Sequence, residues 1–182
     1  KAARQSRQPA LEGLALLRLA EAHYRTFVGH EKALASASSA AAIFERLGDR
    51  VQQGRAICVQ GFAYSRQSRV AEAERAATEA LAIAQASGDL VGQGSALNLL
   101  TYHAADLAVA MNRMSEALAV YKAAGSVLGQ GAIINNLGNA YMALGLYRRA
   151  RRMYRQAIDR ARRTGATRYV TTWNLIQLEE ET

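Results

Sequence analysis

The chain has 182 residues and is half apolar, yet aromatics make up only 7%, and it carries one proline, one cysteine and a formal net charge of +8. Alanine, the best helix former and one without bulk, supplies much of the apolar half, which excludes a sheet-based fold and predicts an all-α protein of closely packed helices. A lone Cys58 excludes an internal disulfide, and no run approaches the roughly 20 apolar residues needed to cross a bilayer, so a cytoplasmic setting with no membrane partner is expected. The chain opens at Lys1 with neither an initiator methionine nor a leader pattern, and reads as a segment of a longer protein.

Laid over itself at a shift of about 40, the sequence repeats. Gly48-Asp49 coincides with Gly88-Asp89, Tyr24 with Tyr64, Leu17 with Ile57, Ala33 with Ala73 and Ala40 with Ala80, so residues 11–50 and 51–90 are two copies of one unit. A third copy, 91–127, opens with Val91-Gly92-Gln93-Gly94. A fourth, 128–167, opens with Leu128-Gly129-Gln130-Gly131, and both openings echo Val51-Gln52-Gln53-Gly54. The segment Thr78 to Ile83 recurs as Ser115 to Val120 at a shift of 37, so the third copy lacks three residues between its helices, and a tight or distorted turn is expected near Ala105 to Val109.

Two apolar stripes alternate in each unit. In the fourth they are Ile134, Leu137 and Tyr141, then Ala150, Tyr154 and Ala157, each on one face of a helix. Gly145-Leu146 signals the turn between them. Gly48, Gly88, Gly125 and Gly165 stand where second helices should end in a left-handed cap, with Asp49, Asp89 and Ser126 as N-caps of the next helix. Thr172 to Ile176, including Trp173, reads as the start of a partial fifth repeat or capping helix over 168–182.

Leu137-Gly138-x-x-Tyr141 followed by Ala150, Tyr154 and Ala157 resembles the tetratricopeptide repeat signature in residue type and spacing, with Gly138 at the close contact between paired helices. Units of roughly 40 residues ending in Gly-Asp are similar to the longer-helix subtype found in polarity adaptors, kinesin light chains and many bacterial regulators. The match is uneven: Glu21 and Thr101 replace the glycine in the first and third copies, and Gln60 replaces an apolar residue in the second. The resemblance implies a single domain built as a right-handed α-solenoid of stacked antiparallel helix pairs.

It also implies that first helices line a concave groove for a peptide or helix of a protein partner. The inward positions by that register are Arg18 and Ala22, Cys58 and Phe62, Asn98 and Tyr102, and Asn135 and Asn139. Asparagine amides offer a donor and an acceptor to a peptide backbone, and Phe62 and Tyr102 add apolar contact, so the groove is expected to centre on Asn98, Tyr102, Asn135 and Asn139. The plainer reading is that these asparagines solvate the wall. A function from a different class is a regulatory or sensor segment of a bacterial multidomain signalling protein, such as a transcription activator or nucleotide cyclase. Self-association through the exposed ends of the stack is a third reading.

Residues 148–168 carry nine arginines, among them Arg148, Arg149, Arg151, Arg152 and Arg155, against the single acid Asp159, and predict a basic convex patch. A solvated face is the default, ahead of an acidic partner; nucleic acid is disfavoured because aromatics are not interleaved with the basic positions. His23, His30 and His103 lack metal-ligand spacing, Cys58 has no nearby histidine, and no phosphate-binding Gly-rich loop is present. The chain is therefore expected to be no enzyme and to hold no cofactor or metal.

Overall fold

A computed structural model describes the backbone of residues 2–24 and 29–163 and the side chains of 8–24 and 29–163. The described residues form eight helices: α1 (Ala2–Tyr24), α2 (His30–Leu47), α3 (Arg50–Arg66), α4 (Val70–Ser87), α5 (Leu90–Thr101), α6 (Leu107–Ala123), α7 (Val127–Ala143) and α8 (Tyr147–Arg163). No strand occurs among them. Two compact units divide the chain between His103 and Ala104, so α5 belongs to the first and α6 to the second. Gly165, Arg168 and the partial fifth repeat with Trp173 lie outside the described residues.

In the first unit α1 packs on α2, α3 on α2 and α4, and α5 on α3 and α4, so consecutive hairpins stack. Alanines make this possible. Ala37, Ala40 and Ala41 of α2 and Ala76, Ala77 and Ala80 of α4 share a core with Leu17, Phe44, Ile57, Val59 and Leu99. Small side chains let helix axes approach closely, while Leu17, Phe44 and Leu99, fully buried, contribute roughly 1.5–3 kcal/mol each. Gly61 sits against Leu99, tying α3 to α5. In the second unit α7 packs on α6 and α8, and Ile133, Ile134, Leu137, Ala150, Tyr154 and Ala157 are buried.

The turns follow from residue chemistry. Gly48, Gly88 and Gly125 end their helices at φ of 69°, 68° and 64°, and the next amide returns to the last turn: Asp49 N to Phe44 O, Asp89 N to Ala84 O and Ser126 N to Tyr121 O, at 2.9, 2.9 and 3.0 Å. Two turns inside hairpins close the same way, Arg69 N to Tyr64 O and Leu146 N to Tyr141 O. Gly145 takes the left-handed position in one and Ser68, at φ 59°, in the other. Side chains of Asp49 and Ser126 accept from Gln52 N and Gly129 N as N-caps. Asp106, which the sequence pattern passed over, does the same for α6 from Val109 N at 2.8 Å.

The shortened third copy differs from expectation. α5 has 12 residues against 17 in α3 and α7, and the link 102–106 is longer than the links 67–69 and 144–146. The deletion is taken from the end of the first helix, and α6 already begins at Leu107, inside the stretch where a turn was expected. Thr101 is the last residue of α5. It replaces the glycine of the signature, and its hydroxyl donates to Asn98 O at 2.7 Å in a buried setting, while the next amide, Tyr102 N, closes the helix on Leu99 O.

Candidate functional site

The first-helix face of the first unit carries three aromatic rings in contact. Tyr24 stacks on Phe62 with centroids 5.3 Å apart and planes 11° from parallel, and Phe62 meets Tyr102 edge-on at 6.2 Å. The rings come from the C-terminal ends of α1 and α3 and the cap of α5, so the repeat itself brings them together. Tyr102 is 56% exposed. The sequence register placed Phe62 and Tyr102 on this face but chose Ala22 from the first copy; the ring that completes the row is Tyr24, two residues on. Ala22 is exposed, and Arg18 is occupied by Glu21 at 2.8 Å.

The inward positions one turn earlier are corrected by the structure. Cys58, Asn98 and Asn135 are buried, so none presents its side chain to a guest as expected. For Cys58 the reason is geometric: α3 is flanked by α1 and α5 as well as by α2 and α4, which leaves little of it open. Burial pushes the Cys58 thiol up to about 12, with the negative charge of Asp89 adding to the effect. Asn135 is 8% exposed, and its Oδ1 meets no donor among the described residues.

In the second unit Asn139 is exposed and its Oδ1 accepts the Tyr154 hydroxyl at 2.8 Å. Tyr154 is fully buried, lies against Gly138 and has its pKa raised by desolvation. The absent side chain at 138 lets the ring through, and the ring then fixes which way the Asn139 amide points: oxygen to the tyrosine, NH2 away from it.

An ion pair strengthens the wall of the first unit. Arg55 of α3 grips Asp89 through Nε–Oδ2 at 2.8 Å and Nη2–Oδ1 at 2.9 Å, with the carboxylate side chain 7% exposed. Burial pulls the Asp89 pKa up, but the bond to Arg55 and the N–H groups of Gly92 and Val91 outweigh it, and the carboxyl ends below its usual range. That hydrogen bond holds the Arg55 pKa above its ordinary value. Gly92 leaves room for the carboxylate, and Gln93 donates to Ala84 O at 3.3 Å, as Gln130 does to Tyr121 O at 3.4 Å. The recurring Gly-Gln-Gly thus joins each new helix to the end of the one before.

On α8 the core stripe is Ala150, Tyr154, Ala157 and Ala161, and Arg148, Arg149, Arg152 and Arg155 are exposed with Arg151 half-buried. The Arg149 guanidinium lies 5.8 Å from the centre of the Tyr141 ring. Among the described residues no three His, Cys, Asp or Glu side chains gather as a metal site, and no helix is long and apolar enough to cross a membrane.

The comparisons agree with this geometry. A tetratricopeptide repeat family model matches residues 131–164, the α7–α8 hairpin. Among 27 solved chains that match is the crystal structure of BtubC (BKLC) from P. vanneervenii, with a TM-score of 0.58 and 15% identity over 95% of this chain and 84% of that one. The comparison with curated proteins gave no match. At that identity the likeness establishes the helical-repeat fold alone, an α-solenoid class, and the family model adds that residues 131–164 are similar to a tetratricopeptide repeat, a unit that in general builds protein-interaction scaffolds.

Proposed function

We propose that the chain is a non-catalytic scaffold whose first-helix faces hold an extended segment of a partner protein. The observation that carries this reading is the row Tyr24, Phe62 and Tyr102 at the C-terminal ends of successive first helices, in which Tyr102 is exposed and Tyr24 and Phe62 are half-buried against the core. Rings are rigid and bury much area at little cost in side-chain entropy, which suits them to anchor apolar side chains of a guest. In the second unit Asn139, held by Tyr154, stands exposed on a first helix and adds a polar contact. Cys58, Asn98 and Asn135 belong to the wall that supports these contacts.

Selection of random extended peptides from a display library tests the proposal. The wild-type chain is expected to enrich a family of sequences, and Phe62→Ala with Tyr102→Ala should weaken their binding by more than about 1 kcal/mol with unchanged helical circular dichroism. Asn139→Ala should weaken binding by a smaller amount. Equal affinity for all variants overturns the assignment of the face.

A further inference from the structure

The second helices of the four copies are α2, α4, α6 and α8, and the first three carry mixed charges. α2 has two acids and two bases, α4 three acids and one base, and α6 one acid and two bases. α8 has eight arginines and one acid, Asp159. A preference of the whole chain for arginine would show in all four helices. It is concentrated in one.

The arrangement works against the helix that carries it. Arg148 and Arg149 occupy the first turn of α8, where the helix dipole disfavours cations and no acid is present. Arg148 stands three and four residues before Arg151 and Arg152, which stand four and three before Arg155, so like charges are neighbours along the surface. The surrounding sequence does little to neutralise them: from Ala117 to Arg163 the one acid is Asp159. Local rules broken this consistently at exposed positions, with no packing gained in return, mark a surface kept for a partner.

The chemistry of the face selects the kind of partner. Guanidinium groups pair with carboxylates through two parallel hydrogen bonds. Arg148, Arg151, Arg152 and Arg155 line one shallow hollow with Gln156 and Asp159, and the exposed Arg162 and Arg163 extend the face to about 22 Å from Arg148, at 1.5 Å per residue. Beside its N-terminal end Leu144, Leu146 and Tyr147 are all exposed. The turn that closes the same way between α3 and α4 has Gln67 and Arg69 where Leu144 and Leu146 stand. An apolar step next to the arginines suits a protein segment with both acidic and apolar side chains, and offers nothing to a phosphate backbone. Nucleic acid also needs rings on which bases can stack, and of the two tyrosines of α8 Tyr154 is fully buried.

We infer that the outer face of α8 is a docking surface for an acidic protein segment, rich in Asp and Glu and carrying apolar residues at one end. The inference concerns a second helix and is independent of the peptide-binding proposal for the first-helix faces.

Fluorescence anisotropy of the 182-residue chain with three labelled probes of equal charge tests it: an all-glutamate peptide, the same peptide with leucines added at one end, and a single-stranded DNA. At an ionic strength of about 0.15 M the leucine-bearing peptide should bind tightest. Arg148→Glu with Arg152→Glu should weaken it about tenfold or more, whereas Arg75→Glu with Lys122→Glu, exposed bases elsewhere and an equal change of net charge, should weaken it less than about threefold. Leu144→Ser with Leu146→Ser should remove the advantage of the leucine-bearing peptide over the all-glutamate one. The pair Arg148→Glu and Arg152→Glu relieves repulsion with Arg149, Arg151 and Arg155, so it should melt no lower than wild type, which separates lost binding from lost folding. Equal weakening by the two pairs of reversals, DNA binding as tight as that of the leucine-bearing peptide, or a lower melting temperature of the α8 pair overturns the inference. So does a tenfold gain in affinity when Glu179, Glu180 and Glu181 are all replaced by Gln, because the chain's own acids would then be the occupant.

Discussion

The ion pair of Arg55 and Asp89 should respond asymmetrically to losing either partner. Asp89→Asn keeps the side chain's shape at the start of α5 and removes only the charge. The guanidinium left behind is 35% exposed and rehydrates, so the loss is expected to be about 1–2 kcal/mol. Arg55→Ala strands a carboxylate that water barely reaches, and only the backbone N–H groups of Gly92 and Val91 remain to it; the cost should reach about 3 kcal/mol. The pH dependence has a fixed sign. A carboxyl whose pKa is lowered by folding adds stability that is fully present above its unfolded value of about 4 and disappears as pH falls through the lower, folded value. Urea unfolding followed by circular dichroism should therefore separate wild type from Asp89→Asn at pH 7 and bring them together as the solution becomes strongly acidic. Equal penalties for the two substitutions, or a gap between wild type and Asp89→Asn that persists in acid, would refute this account of the wall.

Three further outcomes follow from individual contacts. Gly138→Ala puts a methyl into the Tyr154 ring, which is fully buried and cannot swing away, so a loss of about 1–3 kcal/mol is expected in thermal unfolding, partly recovered when Tyr154→Leu is added. An unchanged midpoint in the single variant would count against the helix crossing described for α7 and α8. Ser68→Gly relieves a left-handed backbone that Gly145 adopts without strain at the matching position, and should raise stability by about 0.5–1 kcal/mol, read from the same melts. Cys58, buried and with its thiol pushed up to about 12, should resist alkylation at pH 8 until denaturant is added; prompt labelling of the folded chain would show that the stack opens around α3.

Much of this architecture was legible because each feature has a local cause. A glycine one residue before an N-cap residue marks a left-handed helix end, and Gly48 and Gly88 before aspartate and Gly125 before serine all behave so. Apolar spacing of three and four marks a buried stripe, and Leu137, Tyr154 and Ala157 lie on theirs. What escaped the sequence depends on neighbours distant along the chain. Register put Cys58, Asn98 and Phe62 on one face of their helices, but only packing decides that the first two are buried while Phe62 stays half-buried. Tyr24 was missed because matching Phe62 to Ala22 follows the repeat, whereas the ring contact cuts across it by two residues. Even so, a cue was present at the third copy: Thr101 breaks the signature at the residue where α5 ends. The deletion was visible as a shift of 37, but its placement required knowing that a helix end yields more easily than the cap of the helix that follows, where Asp106 already secures α6.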